Sequence, residues 1–286
     1  MTPPAGRVVA AITGAGSGIG RALAIELAWR GTDLALSDLD AGGLATTRTE
    51  AEAAGASVHT SVVDVADRAA VAAWARDVVG HFGVVHQLYN NAGIAFRGGR
   101  VLDSDYDAIE QTLQINLWGV IHGTKEFLPH LIASGAGALV NISSLNGLLA
   151  QPGLAPYCAS KYAVRGFTEA VRAEMLADGH PVVVTVVHPG SVTTSIATAA
   201  LEAARRAGAS VTPEQEARAR FSDERVLRTS APAAARIIID GVQARRPRIL
   251  VGPDARFVDV ATRLAPGFAL RRTVTVERLM RRGWSS

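Results

Sequence analysis

The chain has 286 residues, of which 48% are hydrophobic and 19% are charged, a composition typical of a folded globular protein and not of a disordered one. No apolar run approaches the roughly twenty residues of a membrane span, and the N-terminus has no charged and apolar signal segment. The single cysteine, Cys158, excludes an internal disulfide framework, and no Cys/His cluster has the spacing of a zinc site. We therefore expect a cytoplasmic protein with no integral membrane segment.

The charge is unevenly distributed along the chain. Residues 201–286 contain 17 basic and 9 acidic side chains, whereas residues 1–200 contain 12 basic and 17 acidic ones. A basic end of this kind can meet nucleic acid or anionic lipid. Here the arginines are scattered and few aromatic residues lie among them, so we expect an ordinary solvated surface and no nucleic-acid partner.

Apolar strand-like runs alternate with helical patterns along most of the chain. Strands are predicted at Val8–Ile12, Asp33–Ser37, Ser57–Val63, Val85–Tyr89, Gly137–Ile142, Val182–Val187 and Ile249–Val251. Helices are predicted near residues 18–30, 41–54, 67–81, 105–133, 157–177 and 231–244. This alternation predicts an α/β fold with one doubly wound parallel sheet, formed by a single domain of residues 1–286. Residues 195–230 are predicted to be a helical lid over the sheet edge, and residues 253–286 a C-terminal extension.

The first predicted strand is followed at once by a glycine-rich turn, Thr13-Gly14-Ala15-Gly16-Ser17-Gly18-Ile19-Gly20, and then by a helical pattern. A strand, a glycine-rich turn and a helix in this order are the context of a dinucleotide-binding site. The glycines let the backbone approach a pyrophosphate, and the helix N-terminus attracts its negative charge. The glycines alone leave an ordinary turn as an equal alternative.

Asp38 favours the dinucleotide interpretation. It ends the second apolar run, about twenty residues beyond the turn, where an acidic side chain accepts hydrogen bonds from the adenosine ribose. Its charge would repel a 2′-phosphate, and the uncharged Ser17 offers no arginine to bind one, so we predict NAD as the cofactor in preference to NADP. Asp38 could instead cap the next helix, but Asp40 is better placed for that role.

Tyr157 and Lys161 are four residues apart on a predicted helix, and Lys161 is one of only two lysines in the chain. Residues at this spacing share a helix face. A nearby ammonium favours the phenolate, so we expect Lys161 to lower the pKa of Tyr157 toward neutrality. The pair is predicted to transfer protons, although the same spacing is often found on a solvated helix face.

Together these motifs resemble the short-chain dehydrogenase/reductase family from about residue 6 to residue 251. Thr13 to Gly20 is similar to its TGxxxGxG turn, and Asn90 to Gly93 to its NNAG segment. Ser144 lies thirteen residues before Tyr157, which is the family's spacing. The remaining matches are Asn116 in the long central helix and Pro189-Gly190 with Thr194 in the PG motif.

The resemblance implies a catalytic set of Asn116, Ser144, Tyr157 and Lys161. Tyr157 would be the general acid/base, Lys161 would also bind the nicotinamide ribose, Ser144 would hold the substrate oxygen, and Asn116 would bind a water that links Lys161 to solvent. Asp64 and Val65 would lie beside the adenine. The implied cofactor-binding residues are Gly14, Ser17, Gly18, Ile19, Gly20, Asp38, Asp64, Val65, Asn91, Tyr157, Lys161, Pro189, Gly190, Val192 and Thr194.

Several of these residues have structural alternatives. Ser143 competes with Ser144, although alternation along a strand points the two to opposite sides. Asn116 could simply bond backbone groups, and Asp64 could cap the following helix. His188 is expected to be structural.

The predicted reaction is hydride transfer between NAD and a secondary alcohol or its ketone. The alternatives are a sugar-nucleotide epimerase or dehydratase and a catalytically silent nicotinamide-binding sensor. The resemblance also implies a homotetramer or homodimer and a mainly apolar substrate. The residues expected to line its pocket are Ile94, Ala95, Phe96, Leu145, Leu148, Leu149, Ile196 and Ala197. Arg97 and Arg100 could instead select an anionic group, but are expected to be solvated.

Overall fold

The computed structural model describes residues 7–95, 99–193 and 229–283. Its strands form one large sheet and one small one. They are β1 (Val9–Thr13), β2 (Asp33–Asp38), β3 (Val58–Val62), β4 (Gln87–Asn90), β5 (Gly137–Ile142), β6 (Val182–Pro189), β7 (Val192–Thr193), β8 (Thr229–Ser230) and β9 (Arg248–Val251). The large sheet is entirely parallel, in the order β3-β2-β1-β4-β5-β6-β9. The predicted doubly wound α/β fold is confirmed.

Nine α-helices are found in the described residues. They are α1 (Gly18–Trp29), α2 (Ala41–Ala53), α3 (Arg68–Phe82), α4 (Tyr106–Leu113), α5 (Gly119–Ala133), α6 (Ala155–Ala177), α7 (Ala231–Gln243), α8 (Pro253–Leu264) and α9 (Pro266–Gly283). A turn of π-helix, Gln114–Trp118, joins α4 to α5, so the two form the single long helix that the sequence predicts. Asp40 and Asp67 cap α2 and α3 by accepting hydrogen bonds from first-turn N–H groups.

Side chains of the central strands alternate between two cores, one on each face of the sheet. On β1, Ile12 belongs to the core beneath α1, α2 and α7, whereas Ala11 belongs to the core beneath α3, α5 and α6. Leu23 and Ile238 are fully buried in the first core, and Trp74 is almost fully buried in the second. Strands covered on both faces have to be apolar throughout, which explains why these runs show no polar alternation.

The strand order reverses direction beside β1, because β2 lies on one side of it and β4 on the other. Ligands of open α/β sheets bind in the crevice beyond the carboxyl ends of the strands at such a switch point. Several of the residues singled out in the sequence lie at or just beyond these strand ends. They are Gly14 after β1, Asp38 at the end of β2, Asp64 after β3, Asn91 after β4, Ser144 after β5 and Gly190 after β6.

All seven predicted strands and all six predicted helices are present, with shifts of a few residues at their ends. Sequence analysis missed the β7–β8 pair and did not assign α8 and α9. Most of the predicted lid, together with Phe96, Arg97, Thr194, Ile196 and Ala197, lies outside the described residues. In the described part of the chain, no helix is long and apolar enough to cross a membrane.

The predicted oligomer depends on apolar residues of the α4–α5 helix. Val120 is buried within the chain itself, whereas Ile109, Leu113, Leu117 and Ile121 are partly exposed. The oligomeric state therefore stays a prediction.

Candidate active site

The glycine-rich turn forms a tight cradle between β1 and α1. Gly14 adopts a positive φ of 67°, and a Cβ atom there would lie 2.8 Å from the Cα atom of Ala92. A Cβ atom on Gly20 would overlap the carbonyl oxygen of Gly14. Larger residues are therefore excluded at both positions, and the backbone of the turn stays accessible to a ligand. The cradle ends at the N-terminus of α1, where Ser17 is the N-cap residue and makes no side-chain capping bond.

Asn91 holds this turn in place. Its Nδ2 atom donates hydrogen bonds to the carbonyl oxygens of Thr13 and Gly14, each at 3.0 Å. The hydroxyl of Thr13 in return accepts hydrogen bonds from the N–H groups of Asn91 and Ala92. The ends of β1 and β4 are thus locked together by Asn91 and Thr13.

Asp38 faces the glycine-rich turn from the end of β2. Its Oδ2 atom accepts a hydrogen bond of 2.7 Å from the N–H group of Gly16, and its Oδ1 atom accepts one of 3.0 Å from the N–H group of Asp40. Asp40, not Asp38, caps α2, as expected. A carboxylate has about four acceptor positions, so Asp38 retains capacity to accept hydrogen bonds from a ligand.

Asp64 and Val65 follow β3 at the same edge of the sheet. The Asp64 carboxylate accepts a hydrogen bond of 2.9 Å from the N–H group of Ala66. It does not cap α3, because Asp67 does so. Val65 is buried, and its carbonyl oxygen lies 3.0 Å from Nδ1 of His122.

Lys161 is buried in α6, with only 4% of its surface exposed. Its Nζ atom donates a hydrogen bond of 3.1 Å to the carbonyl oxygen of Ile142, the last residue of β5, and lies 5.7 Å from the ring centroid of Tyr157. Burial lowers the pKa of Lys161 to about 8. The predicted pairing of Lys161 with Tyr157 on one helix face is therefore present.

The expected lowering of the Tyr157 pKa is wrong for this structure. Burial raises the pKa of the Tyr157 phenol above its usual value, Ser144 acts to lower it, and Cys158 acts to raise it. The loss of hydration destabilises the phenolate by more than its neighbours stabilise it. Lys161 lies over the ring and hydrogen-bonds the protein backbone, so it does not reverse this effect. Tyr157 is consequently protonated at neutral pH.

Ser143 and Ser144 point to opposite sides, as strand alternation predicts. The Ser143 hydroxyl is buried and donates a hydrogen bond of 2.8 Å to the carbonyl oxygen of Lys161, so its role is structural. The Ser144 hydroxyl accepts a hydrogen bond of 3.1 Å from the N–H group of Asn146 and interacts with the Tyr157 phenol. Ser144 is therefore the serine that belongs to the site.

His188 fixes the backbone of Ser144. Its Nδ1 atom lies 2.9 Å from the carbonyl oxygen of Ser144. Burial lowers the pKa of His188 to about 4, so the ring is neutral at physiological pH and donates its one N–H to that carbonyl. His188 is structural, as expected.

Asn116 is fully buried in the π-helical turn, a distortion that is frequent at functional sites. Its Oδ1 atom accepts a hydrogen bond from the N–H group of Ile94 at 2.8 Å, and its Nδ2 atom donates to the carbonyl oxygen of Ile94 at 2.9 Å and to Ser160 Oγ at 3.3 Å. Gly93 lies between Asn116 and Lys161, because a Cβ atom there would be 3.1 Å from Asn116 Oδ1 and 3.4 Å from Lys161 Nζ. Asn116 thus hydrogen-bonds backbone groups, which is the alternative role considered for it. Both hydrogens of its side-chain amide are used within the protein.

Sequence analysis missed Asp254, which anchors the PG segment. Its Oδ2 atom accepts a hydrogen bond of 2.6 Å from the N–H group of Ser191. A Cβ atom on Gly190 would collide with this carboxylate, so glycine is required there. Pro189 and Val192 lie on either side, in β6 and β7. The sequence Gly252-Pro253-Asp254 after the last strand could have predicted a helix start at this place, because such residues often begin a helix.

Two of the residues expected to line the substrate pocket, Leu148 and Leu149, border a cavity of about 410 Å³ between α6 and the helices α8 and α9. Neither Tyr157 nor Ser144 lines this cavity, so it is not the reaction site itself. In residues 7–95, 99–193 and 229–283, no group of three or more His, Cys, Asp or Glu side chains is arranged to hold a metal ion.

The sequence of the chain is similar to those of known oxidoreductases and dehydrogenases. Residues 8–205 match the family model for short chain dehydrogenase. A Mycobacterium tuberculosis protein named as an oxidoreductase, SadH, is 52% identical over 256 residues, which are 90% of this chain and 90% of that protein. The 1-deoxy-11-beta-hydroxypentalenate dehydrogenase of Streptomyces avermitilis is 37% identical over 205 residues, which are 71% of this chain and 75% of that enzyme.

Solved structures extend the likeness to three dimensions. A short-chain dehydrogenase/reductase from Burkholderia phymatum, solved in complex with NAD, superposes with a TM-score of 0.83 at 35% identity, over 90% of this chain and 93% of that one. The family match and this superposition agree with the ordered motifs and with the polar residues at the sheet edge. The chain therefore belongs to the short-chain dehydrogenase/reductase family and is a dehydrogenase/reductase enzyme.

Proposed function

We propose that the protein is an NAD(H)-dependent oxidoreductase that interconverts a secondary alcohol and its ketone on a mainly apolar small molecule. The observation that carries this proposal is the grouping of Tyr157, Ser144 and Lys161 at the carboxyl end of β5, beside the glycine cradle. Carbonyl reduction requires three groups from the protein: a general acid/base, a second hydroxyl that hydrogen-bonds the carbonyl oxygen of the substrate, and a buried ammonium.

The residues of the cradle fit a dinucleotide. Gly14 and Gly20 leave room that a Cβ atom would fill, and the N-terminus of α1 provides N–H groups for a pyrophosphate. We assign Gly18 and Ile19, the first residues of α1, to the same contact. Asp38 would accept hydrogen bonds from the adenosine ribose. When bound, the nicotinamide supplies the carbon that accepts or donates the hydride.

In this proposal Tyr157 donates its phenolic proton to the substrate oxygen during ketone reduction and takes a proton back during alcohol oxidation. Ser144 hydrogen-bonds the same oxygen and keeps it within reach of the phenol. Once the proton has left, the positive charge of Lys161 stabilises the phenolate. Asn116 holds Ile94 and Ser160 in position. A water bound at Asn116 would relay the proton between Lys161 and solvent.

The proposed preference for an apolar substrate depends on the leucines that follow Ser144. Leu148 is buried, and Leu145 and Leu149 are partly exposed in the segment that follows Ser144. Lining of this kind suits hydrocarbon rings or chains. The Streptomyces relative is named for a hydroxylated pentalenate substrate, which supports alcohol oxidation by proteins of this type.

Turnover of NADH with a panel of cyclic, aliphatic and highly hydroxylated ketones tests the proposal. We expect reduction of cyclic or aliphatic ketones and little activity on sugar acids. A sugar-nucleotide epimerase would show no net consumption of NADH, and a silent sensor would bind NADH without oxidising it. Either outcome would refute the proposed reaction.

Substitution of Asp38 tests the predicted preference for NAD. In Asp38→Ala, loss of the carboxylate removes its repulsion of a 2′-phosphate, and we expect discrimination against NADP to fall by about ten-fold. The kcat/KM values for both cofactors provide the measurement. Asp40→Ala is the matched control, because it removes only the α2 cap, and its ratio of kcat/KM values for the two cofactors should be unchanged. Equal use of NAD and NADP by the unmodified protein would contradict the prediction.

Asp254 is expected to contribute to cofactor binding through the PG segment. In Asp254→Ala, the N–H group of Ser191 loses its acceptor, and we expect the KM for NAD to rise by about ten-fold, with a smaller change in kcat. Asp240→Ala on α7 is the control, because it removes an exposed carboxylate that pairs with Arg30 at the end of α1. Equal KM values for the two variants would show that Asp254 has no positioning role.

A further inference from the structure

The two C-terminal helices expose large apolar side chains. On α8, Phe257 is 72% exposed and Leu264 is 81% exposed. On α9, Phe268 is 64% exposed and Leu279 is 62% exposed. Seven residues separate the first pair and eleven the second, and both separations are close to whole numbers of helical turns. Each pair therefore lies on one outward face of its helix, where contact with water is unfavourable.

Arginine side chains share this outward face. Residues 253–283 contain seven arginines and three acidic residues, and no lysine. On α9, Arg271 and Arg272 are exposed, and at 100° per residue both lie within about 60° of Phe268. On α8, Arg256 is exposed beside the apolar stripe, and the exposed Arg263 pairs with Asp259 at 3.1 Å. A simple solvated surface accounts for the arginines, but not for the phenylalanines and leucines among them.

An anionic bilayer matches this combination of groups better than a second copy of the chain does. In a two-fold contact whose axis passes near α9, Arg271 and Arg272 would approach their own symmetry mates, and like charges oppose such an interface. At a membrane surface, by contrast, guanidinium groups pair with lipid phosphates while adjacent apolar side chains enter the acyl boundary. Arginine stems can lie along the apolar layer with their charged ends at the headgroups.

We propose that the outward faces of α8 and α9 dock the protein on the surface of an anionic phospholipid bilayer. The segment lies on the membrane and does not cross it. With Leu148 and Leu149, α8 and α9 also border the cavity next to the loop that follows Ser144. A docked molecule would thus have this loop close to the bilayer, where an apolar substrate accumulates. This last consequence alone rests on the proposed function.

Sedimentation of the full-length protein with vesicles tests the docking surface. We expect binding to phosphatidylcholine vesicles that contain about one third phosphatidylglycerol, and little binding to pure phosphatidylcholine. Arg271→Glu/Arg272→Glu should weaken binding by more than about ten-fold, and Phe268→Ser/Leu279→Ser should abolish it. Sodium chloride at about 0.5 M should reduce the binding of the unmodified protein.

Matched controls distinguish bilayer docking from subunit association and from unfolding. Arg48→Glu on α2 and Trp29→Ser on α1 change exposed side chains far along the chain from these helices, and both should bind vesicles as the unmodified protein does. Circular dichroism and cofactor binding report whether each variant is folded. Equal sedimentation with neutral and anionic vesicles would overturn the proposal. A fall in molar mass by light scattering for Phe268→Ser/Leu279→Ser would overturn it as well, because the face would then be a subunit interface.

Discussion

Tyr157→Phe is expected to lower turnover by about 10²–10⁴-fold while cofactor affinity stays nearly unchanged. The substitution removes only the ionisable hydroxyl and keeps the ring that packs near Lys161. Steady-state kinetics gives the rate, and fluorescence titration with NADH gives the affinity. Tyr162→Phe, on the same helix but more exposed, is the control and should be fully active. Near-normal turnover of Tyr157→Phe would disprove the acid/base assignment.

The raised pKa of Tyr157 adds a pH dependence to this prediction. Because the pKa of the phenol is raised, Tyr157 is protonated at neutral pH, and the rate of ketone reduction should not depend on pH there. Alcohol oxidation needs the phenolate, so its rate should increase from about pH 7 to about pH 10 and should not level off there, because the pKa of the phenol is raised above the ordinary value of about 10. An oxidation rate that is flat over this interval would show that another group takes the proton.

Lys161→Met is expected to inactivate the enzyme and to stabilise its fold. A buried lysine whose pKa is lowered to about 8 binds its proton less tightly than the same lysine in the unfolded chain. Below pH 8 the folded protein therefore carries a cost of about 3 kcal/mol, part of which is offset by the hydrogen bond to Ile142. Methionine removes the charge at similar volume, so the melting temperature measured without cofactor should increase.

The sign of this effect can be checked by its pH dependence. The unfolded state holds the Lys161 proton up to about pH 10.5 and the folded state only up to about pH 8, so the stability of the unmodified protein should rise across that interval. The difference from Lys161→Met should shrink in the same interval. Lys125→Met, at the exposed second lysine, is the control and should show neither effect. A less stable Lys161→Met protein would contradict the prediction.

The fold could be predicted because its signals are local. Each central strand is covered on both faces and is therefore uniformly apolar, and the glycine turn and Asp40 follow fixed rules of backbone geometry and capping. The sequence cannot reveal, by contrast, how far burial changes an ionisation. The spacing of Lys161 from Tyr157 is visible and predicts a lowered phenol pKa, whereas the loss of hydration that raises this pKa depends on how distant segments pack around the ring.

The parts of the site that sequence analysis missed depend on contacts between distant segments. Asp254 contacts the N–H group of Ser191, 63 residues earlier in the chain, and no pattern within either segment shows that they meet. The position of Asn116 marks it as a site residue, but its bonds to Ile94 and Ser160 could be found only in three dimensions. The helices α8 and α9 escape prediction because neither buries a continuous apolar stripe of its own.

The packing of α1 against α7 in one core has a consequence for synthesis on the ribosome. Arg30 at the end of α1 pairs with Asp240 on α7 at 2.7 Å, although 210 residues separate them, and β9 completes the sheet only after that. The nascent chain has to expose the α1 surface, including part of the core around Leu27, until α7 emerges. Contacts of such long range form slowly, and we therefore expect the nascent chain to become resistant to protease only after residue 251 has left the exit tunnel.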